Sequence, residues 1–191
     1  MPKPPLLLDV DGCLSVFPHE EVHRITSPHE AVGPDGGTYV LNLRPELPAW
    51  LEELGEAFEL VWCTTWSTAN EAVGPLLGLP PLDQVPFPPV WEDVPAMLCR
   101  KTEHVRRFAA ERGHTVLAWV DDEVIREDAR ALERDWTGTA VVRRWQRAFV
   151  ETPPLRSALA VTTMPDDGIT RAHVEQLLAW AGIDAAGPGQ S

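Results

Sequence analysis

Apolar positions along this chain gather in short unbroken runs that stop abruptly at polar residues. The first strand, over residues 5–10, takes in Asp9 at its end and is closed by Asp11-Gly12. "FELVWC" (58–63) stops at Thr64-Thr65, and "TVLAWV" (115–120) stops at Asp121-Asp122. Runs of roughly four to eight apolar residues bounded by turn formers predict buried strands. "TYVLNL" (38–43) predicts a further strand, one arm of a hairpin, and "SALAV" (157–161) a last one. Residues 79–96 are proline-rich, and "QVPFPPV" is their one plausible strand, at an edge of the sheet.

Between the runs the apolar spacing lengthens to three or four. In "RPELPAWLEELGE", Leu47, Leu51 and Leu54 share one helical face, with Pro45 in the first turn. "KTEHVRRFAAERG" predicts a helix with Val105, Phe108 and Ala109 inward and Gly113 as its stop. After Thr64, Thr68 and Glu71 stand at capping-box spacing, and Pro75 ends or kinks the helix they open. A helix over 123–133 follows the third run, and "TRAHVEQLLAWAG" predicts a closing helix bounded by Thr170 and Gly182. Strands alternating with helices imply an α/β fold, a doubly wound and mainly parallel sheet. One domain over 1–183 is expected, with a polar flap over 13–37, an insertion over 134–156 and a disordered tail over 184–191.

In such sheets ligands lie beyond the carboxyl ends of the strands. The residues there are Asp9, Asp11, Thr64, Asp121 and Asp122, and Lys101 opens the helix before the third run. Four carboxylates converge in one cleft only around a cation. All-oxygen ligands select a hard ion, here Mg²⁺. A divalent cation, a lysine and a hydroxyl around an aspartate make a site for a phosphoryl group. Asp9 can then act as nucleophile, while Asp11 protonates the leaving oxygen and later deprotonates water.

Composition narrows the partners. Sixteen Lys and Arg against 29 Asp and Glu give a net charge of −13, unfavourable for non-specific contact with nucleic acid or anionic membrane. A phosphate-bearing substrate must therefore be met by a metal ion or a local positive patch. Cys13, Cys63 and Cys99 form no metal or disulfide pattern, and Cys13 and Cys63 read as small buried thiols. With neither a signal-peptide pattern nor a run of about 18 apolar residues, a cytoplasmic protein away from membranes is expected. No stable protein partner is implied.

The order D-x-D-G (Asp9 to Gly12), Thr64, Lys101, then Asp121-Asp122, each after its own strand or at a helix start, resembles the haloacid dehalogenase (HAD) superfamily over roughly residues 5–165. The resemblance implies that Asp9 is the nucleophile and Asp11 the acid/base, with Thr64 and Lys101 binding phosphate. It also implies that Asp122 is the main metal ligand, assisted by Asp121, with the Asp11 carbonyl coordinating beside Asp9. An aspartate at position 11 points to a phosphatase or phosphotransferase rather than a dehalogenase or ion pump. "ELVWCTTW", "LAWVDDE" and "GIT..HV..LLAW" are similar to HAD domains of bacterial proteins predicted to repair RNA. A short flap and no large cap imply an open cleft, suited to phosphates on large ligands. Nucleic-acid or nucleotide ends are the preferred class.

Two other readings compete. A phosphate-accepting module without turnover, such as a receiver, carries its aspartate pair after the first strand and a single aspartate later, unlike the order here. A zinc hydrolase is suggested by His19, Glu20, His23 and His29, at the spacing of H-E-x-x-H and a third histidine six residues on. Thr26 and Pro28 interrupt that pattern, which otherwise reads as a solvated flap. Arg134, Arg143, Arg144 and Arg147 interleaved with Trp136, Trp145 and Phe149 have the composition of a base-stacking surface. The favoured reading is nonetheless an amphipathic helix with its aromatic face buried and its arginines in water.

Overall fold

The first strand, β1 (Pro5–Leu8), is buried at all four positions, as a strand covered on both faces must be. In the computed structural model, which describes residues 2–88, 101–123 and 155–184, β1 is the middle of a five-stranded sheet. It pairs in parallel with β4 (Glu59–Trp62) on one side and β6 (Val116–Val120) on the other. The two-residue β5 (Asp83–Gln84) flanks β4 and β7 (Ser157–Val161) flanks β6, both in parallel, giving the order β5-β4-β1-β6-β7.

Period-two alternation along these strands sorts the core into two halves. Leu6, Leu8, Trp62, Ala118, Val120, Leu159 and Val161 pack with α1 (Leu47–Ala57) and α4 (Arg171–Asp184) on one face. Leu7, Val61, Cys63, Leu117, Trp119, Ala158 and Ala160 pack with α3 (Thr102–Arg112) on the other. A parallel sheet with helices on both faces is the Rossmann-like α/β arrangement expected from the alternation. Each large apolar side chain sealed here contributes about 1.5–3 kcal/mol, and Trp62, Trp119 and Phe58 are among the largest. Phe58 stacks on Trp180, and Arg171 pairs with Glu53, joining α1 to α4.

From β1 the chain builds outward through β4 to β5, then returns to the far side of β1 for β6 and β7. Successive connections thus part between β1 and β6. The carboxyl ends of strands at such a switch point border a ligand crevice.

A separate antiparallel hairpin, β2 (Ser27–Val32) and β3 (Thr38–Leu43), stands between β1 and α1. It extends the expected flap and includes the anticipated arm over 38–43. Its base is tied to the loop after β1. Ser15 bridges Leu43, Val16 N–H donates to the Asn42 carbonyl (3.0 Å), and Asn42 Nδ2 donates to the Val16 carbonyl (3.1 Å).

Several local expectations need correction. Pro48, not Pro45, occupies the first turn of α1, because Pro45 lies in the turn before it. The Thr68–Glu71 capping box does not form; Thr68 Oγ1 instead donates to the Val32 carbonyl of the hairpin (3.4 Å), and α2 is the single turn Ala69–Ala72. The chain does leave the α-helix before Pro75, in a 3-10 turn over Gly74–Leu77. Among the described residues of the proline-rich segment, strand pairing is confined to Asp83–Gln84 with one further bond from Val85 N to the Trp62 carbonyl, and Pro86 and Pro88 beyond it lack a donor. Gly182 lies within α4 rather than ending it, whereas Gly113 does end α3 at φ +69°. At the start of α4 the His173 ring accepts the Thr170 N–H (3.2 Å), the reciprocal half of a capping box. The expected helix over 123–133, insertion over 134–156 and tail over 184–191 lie outside the described residues except at Glu123, Leu155–Arg156 and Asp184.

Candidate functional site

Strand pairing continues one residue past the ends of β1 and β6. Asp9 N–H donates to the Val120 carbonyl (3.2 Å) and Asp121 N–H to the Val161 carbonyl (3.2 Å). Alternation therefore still governs both aspartates. Asp9 follows Leu7, and Asp121 follows Leu117 and Trp119, onto the α3 face, where Lys101 precedes the first turn of α3. Lys101 Nζ lies 2.7 Å from Asp9 Oδ2 and 2.8 Å from Asp121 Oδ2. Asp121 also accepts from Trp119 Nε1 (3.1 Å) and from Glu123 N–H (2.8 Å). This carboxylate is fully buried and accepts from three donors.

Burial dominates the electrostatics. It pushes the Asp9 carboxyl up to about 8; Lys101 opposes this and the Asp121 charge adds to it. For Lys101, burial acts against the charged form, but the Asp121 and Asp9 carboxylates outweigh it and raise its pKa well above the ordinary 10.5. One fixed cation thus sits between two carboxylates.

Asp122 has the opposite parity and faces the loop after β1. That loop folds back on itself through Ser15 N–H to the Val10 carbonyl (2.8 Å) and Gly12 N–H to the Ser15 carbonyl (2.9 Å). Gly12 has φ +70°, and a Cβ there would lie 2.6 Å from Asp122 Cγ. Only glycine satisfies both the backbone and the close approach. Gly12→Ala should therefore cost about 2 kcal/mol or more, read as a lower urea midpoint at unchanged m-value. An unaltered midpoint would show that Asp122 is not seated against this loop.

One oxygen each of Asp9 and Asp122 and the Cys13 sulfur lie within 4.8 Å of one another. Two buried carboxylates fit a hard divalent ion. The thiol does not add to that fit. Burial first, and then the Asp9, Asp121 and Asp122 charges, push Cys13 well above 9.0, so it stays protonated. Its sulfur contacts Thr163 Oγ1 (3.1 Å), which in turn donates to the Gly12 carbonyl (2.8 Å). Cys13 keeps the ordinary role of a small buried thiol, here bracing the loop.

Of the three carboxylates expected to hold the metal, then, the structure brings those of Asp9 and Asp122 together, while that of Asp121 turns to Lys101. Asp11 was expected to coordinate through its carbonyl, and its side chain has another partner. Half-buried Asp11 accepts from Trp66 Nε1 through Oδ2 (2.9 Å). Thr64 follows β4 directly and is buried, and its Oγ1 accepts the Trp66 N–H (3.3 Å). Beside Thr64 opens a cavity of ≈ 450 Å³, lined also by Thr65, Ser67, Gln84, Phe87 and Asp35 of the hairpin turn. Asp35 stays charged, held low first by the Gly37 N–H and then by the Tyr39 hydroxyl.

The histidines of the H-E-x-x-H pattern do not assemble. Only Val22–Arg24 is helical, as a 3-10 turn, and His29 lies in β2. His19, Glu20 and His23 are exposed, and none joins a metal-ligating group among the described residues. Among the described residues no helix is long and apolar enough to cross a membrane. Contacts from Trp66, Trp119, Thr163 and Gln84 escaped the sequence reading; only Trp119 carried a signal, its parity with Asp121. No family model, curated protein or solved structure matches the chain.

Proposed function

We propose that this chain is a Mg²⁺-dependent HAD-type phosphatase that hydrolyses phosphomonoesters through an aspartyl-phosphate at Asp9. The observation that carries the reading is the setting of Asp9: at the end of the central strand, 2.7 Å from Lys101 and within 4.8 Å of Asp122 across the switch point. Lys101 engages Oδ2, leaving Oδ1 as the attacking oxygen. The Oδ1–phosphorus bond forms as the ester P–O bond breaks, and Asp11 gives its proton to the leaving oxygen. Water then attacks phosphorus, its proton passes to Asp11, and the Oδ1–phosphorus bond breaks to restore both carboxyls. Thr64 and Lys101 steady the phosphoryl oxygens, and Asp121 keeps Lys101 in place. A Mg²⁺ held by Asp9, Asp122 and the Asp11 carbonyl would neutralise the carboxylates and withdraw charge from the phosphoryl group.

The described part of the insertion after β1 is a hairpin rather than a cap domain, which supports an open cleft and a large phosphorylated ligand. Nucleic-acid and nucleotide ends remain the preferred class. Phosphate release across nucleotides, RNA and DNA ends and phosphopeptides, with and without Mg²⁺, tests the reading; no metal-dependent release from any of them would sink it. In the same assay Asp11→Asn should lower turnover roughly 10²–10⁴-fold and let a phosphoryl adduct on Asp9 accumulate, detectable by mass spectrometry. Wild-type turnover in that variant would remove the acid/base role.

A further inference from the structure

We propose that Trp66 is the positioning residue of the acid/base Asp11, and that the flap hairpin sets it through Tyr39; this rests on the phosphatase reading. The Trp66 indole is nearly sealed, 5% exposed, yet its Nε1–H reaches Asp11 Oδ2 at 2.9 Å. An indole N–H donates and never accepts, so it orients a carboxyl without competing for the proton. With Oδ2 taken, Oδ1 is the oxygen left to carry out the proton transfer. Asp11 is only partly enclosed by its surroundings, and without this bond its terminal torsion is broad and roughly two-fold.

Trp66 is itself held by its neighbours, its carbonyl accepting the Ala69 N–H (3.0 Å). Its N–H donates to Thr64 Oγ1 (3.3 Å), and its carbonyl also accepts from Gln84 Nε2 (3.1 Å). Its ring meets Tyr39 edge-on, 5.4 Å between centroids at 67°. Tyr39 is anchored in turn by its hydroxyl to Asp35 Oδ2 (2.8 Å), and Thr68 ties the same loop to Val32. A continuous line thus runs from the hairpin turn to the carboxyl that does the proton transfer. Thr64 and Asp11, from different strands, are both tied to this one residue.

The test is leaving-group dependence. Release of p-nitrophenolate needs little protonation, whereas release of an alkoxide from benzyl phosphate needs it fully. Trp66→Phe keeps the ring against Tyr39 and removes the donor. It should lower kcat for benzyl phosphate roughly tenfold or more and for p-nitrophenyl phosphate under about threefold, with KM unchanged for both. Tyr39→Leu should shift the two substrates in the same sense but less. In an Asp11→Asn background the selective loss should vanish, as for two residues acting as a unit. Equal losses on both esters, or a selective loss that persists without Asp11, would overturn the proposal.

A readout free of turnover separates this from failure of the phosphatase reading. The Trp66 indole N–H resonance, identified by its disappearance in Trp66→Phe, should move in Asp11→Ala. A resonance that does not move removes the contact and the proposal with it. Failure of the phosphatase reading shows differently, as no phosphate release by the wild type from either ester, and takes the positioning role down while the resonance still moves.

Discussion

Replacing Asp9 by asparagine is expected to abolish phosphate release, by roughly 10⁴-fold or more, while making the metal-free protein more stable at pH 8. The first effect follows from losing the attacking oxygen, for which an amide is no substitute. The second follows from linkage. The Asp9 carboxyl has a folded-state pKa of about 8 against an ordinary 3.8, with burial as the leading cause. Between those values the folded protein holds a proton that the unfolded chain has released. Stability therefore falls as pH rises through that window and levels off above it. Asparagine has nothing to ionise, so the Tm of the variant minus that of the wild type should grow from near pH 4 to near pH 8. Thermal melts in a chelator follow the second effect and phosphate release the first. Equal release by variant and wild type removes the nucleophile; a Tm difference flat across the window removes the burial penalty.

Lys101→Met should act in the opposite direction on stability. The ammonium lies between Asp9 and Asp121, and the side chains of all three are at most 6% exposed. Removing one member of a buried ion pair leaves uncompensated charge and costs about 3–5 kcal/mol. Methionine matches the length of the lysine stem, so little of that loss would come from packing. The urea midpoint near pH 8 should fall accordingly, and adding Asp121→Asn should recover part of it by removing one of the stranded carboxylates. Activity should fall as well, since Lys101 also faces the phosphoryl oxygens in the proposed reaction. An unchanged midpoint would mean that the two carboxylates do not depend on this cation.

Where the strands end was legible because each apolar run stops within a residue or two of its last ladder bond. That alone brought Asp9, Thr64, Asp121 and Asp122 to one rim. Their directions were less accessible. Asp121 and Asp122 are adjacent and look equivalent as ligands, yet strand alternation sends them to opposite faces: Asp121 to Lys101, Asp122 to Gly12. Carrying the parity of Leu117 and Trp119 one step beyond β6 would have separated them. The Trp66–Asp11 contact spans 55 residues of sequence, and nothing local distinguishes Trp66 from the seven other tryptophans. The capping box failed for a related reason: hydrogen bonding to the hairpin claims the Thr68 hydroxyl, and a one-turn helix offers little to cap. Pro45 was misplaced because a second proline three residues later serves the first turn equally well.

The insertion after β1 leaves and rejoins the scaffold at nearly one point, where Ser15 meets Leu43 and Val16 meets Asn42. A loop whose two ends already touch can be shortened, lengthened or exchanged at little entropic cost to the rest of the chain. The hairpin is thus a graft point with one fixed position: an exchange that keeps Tyr39 against Trp66 leaves the Asp11 contact in place, and one that removes it does not.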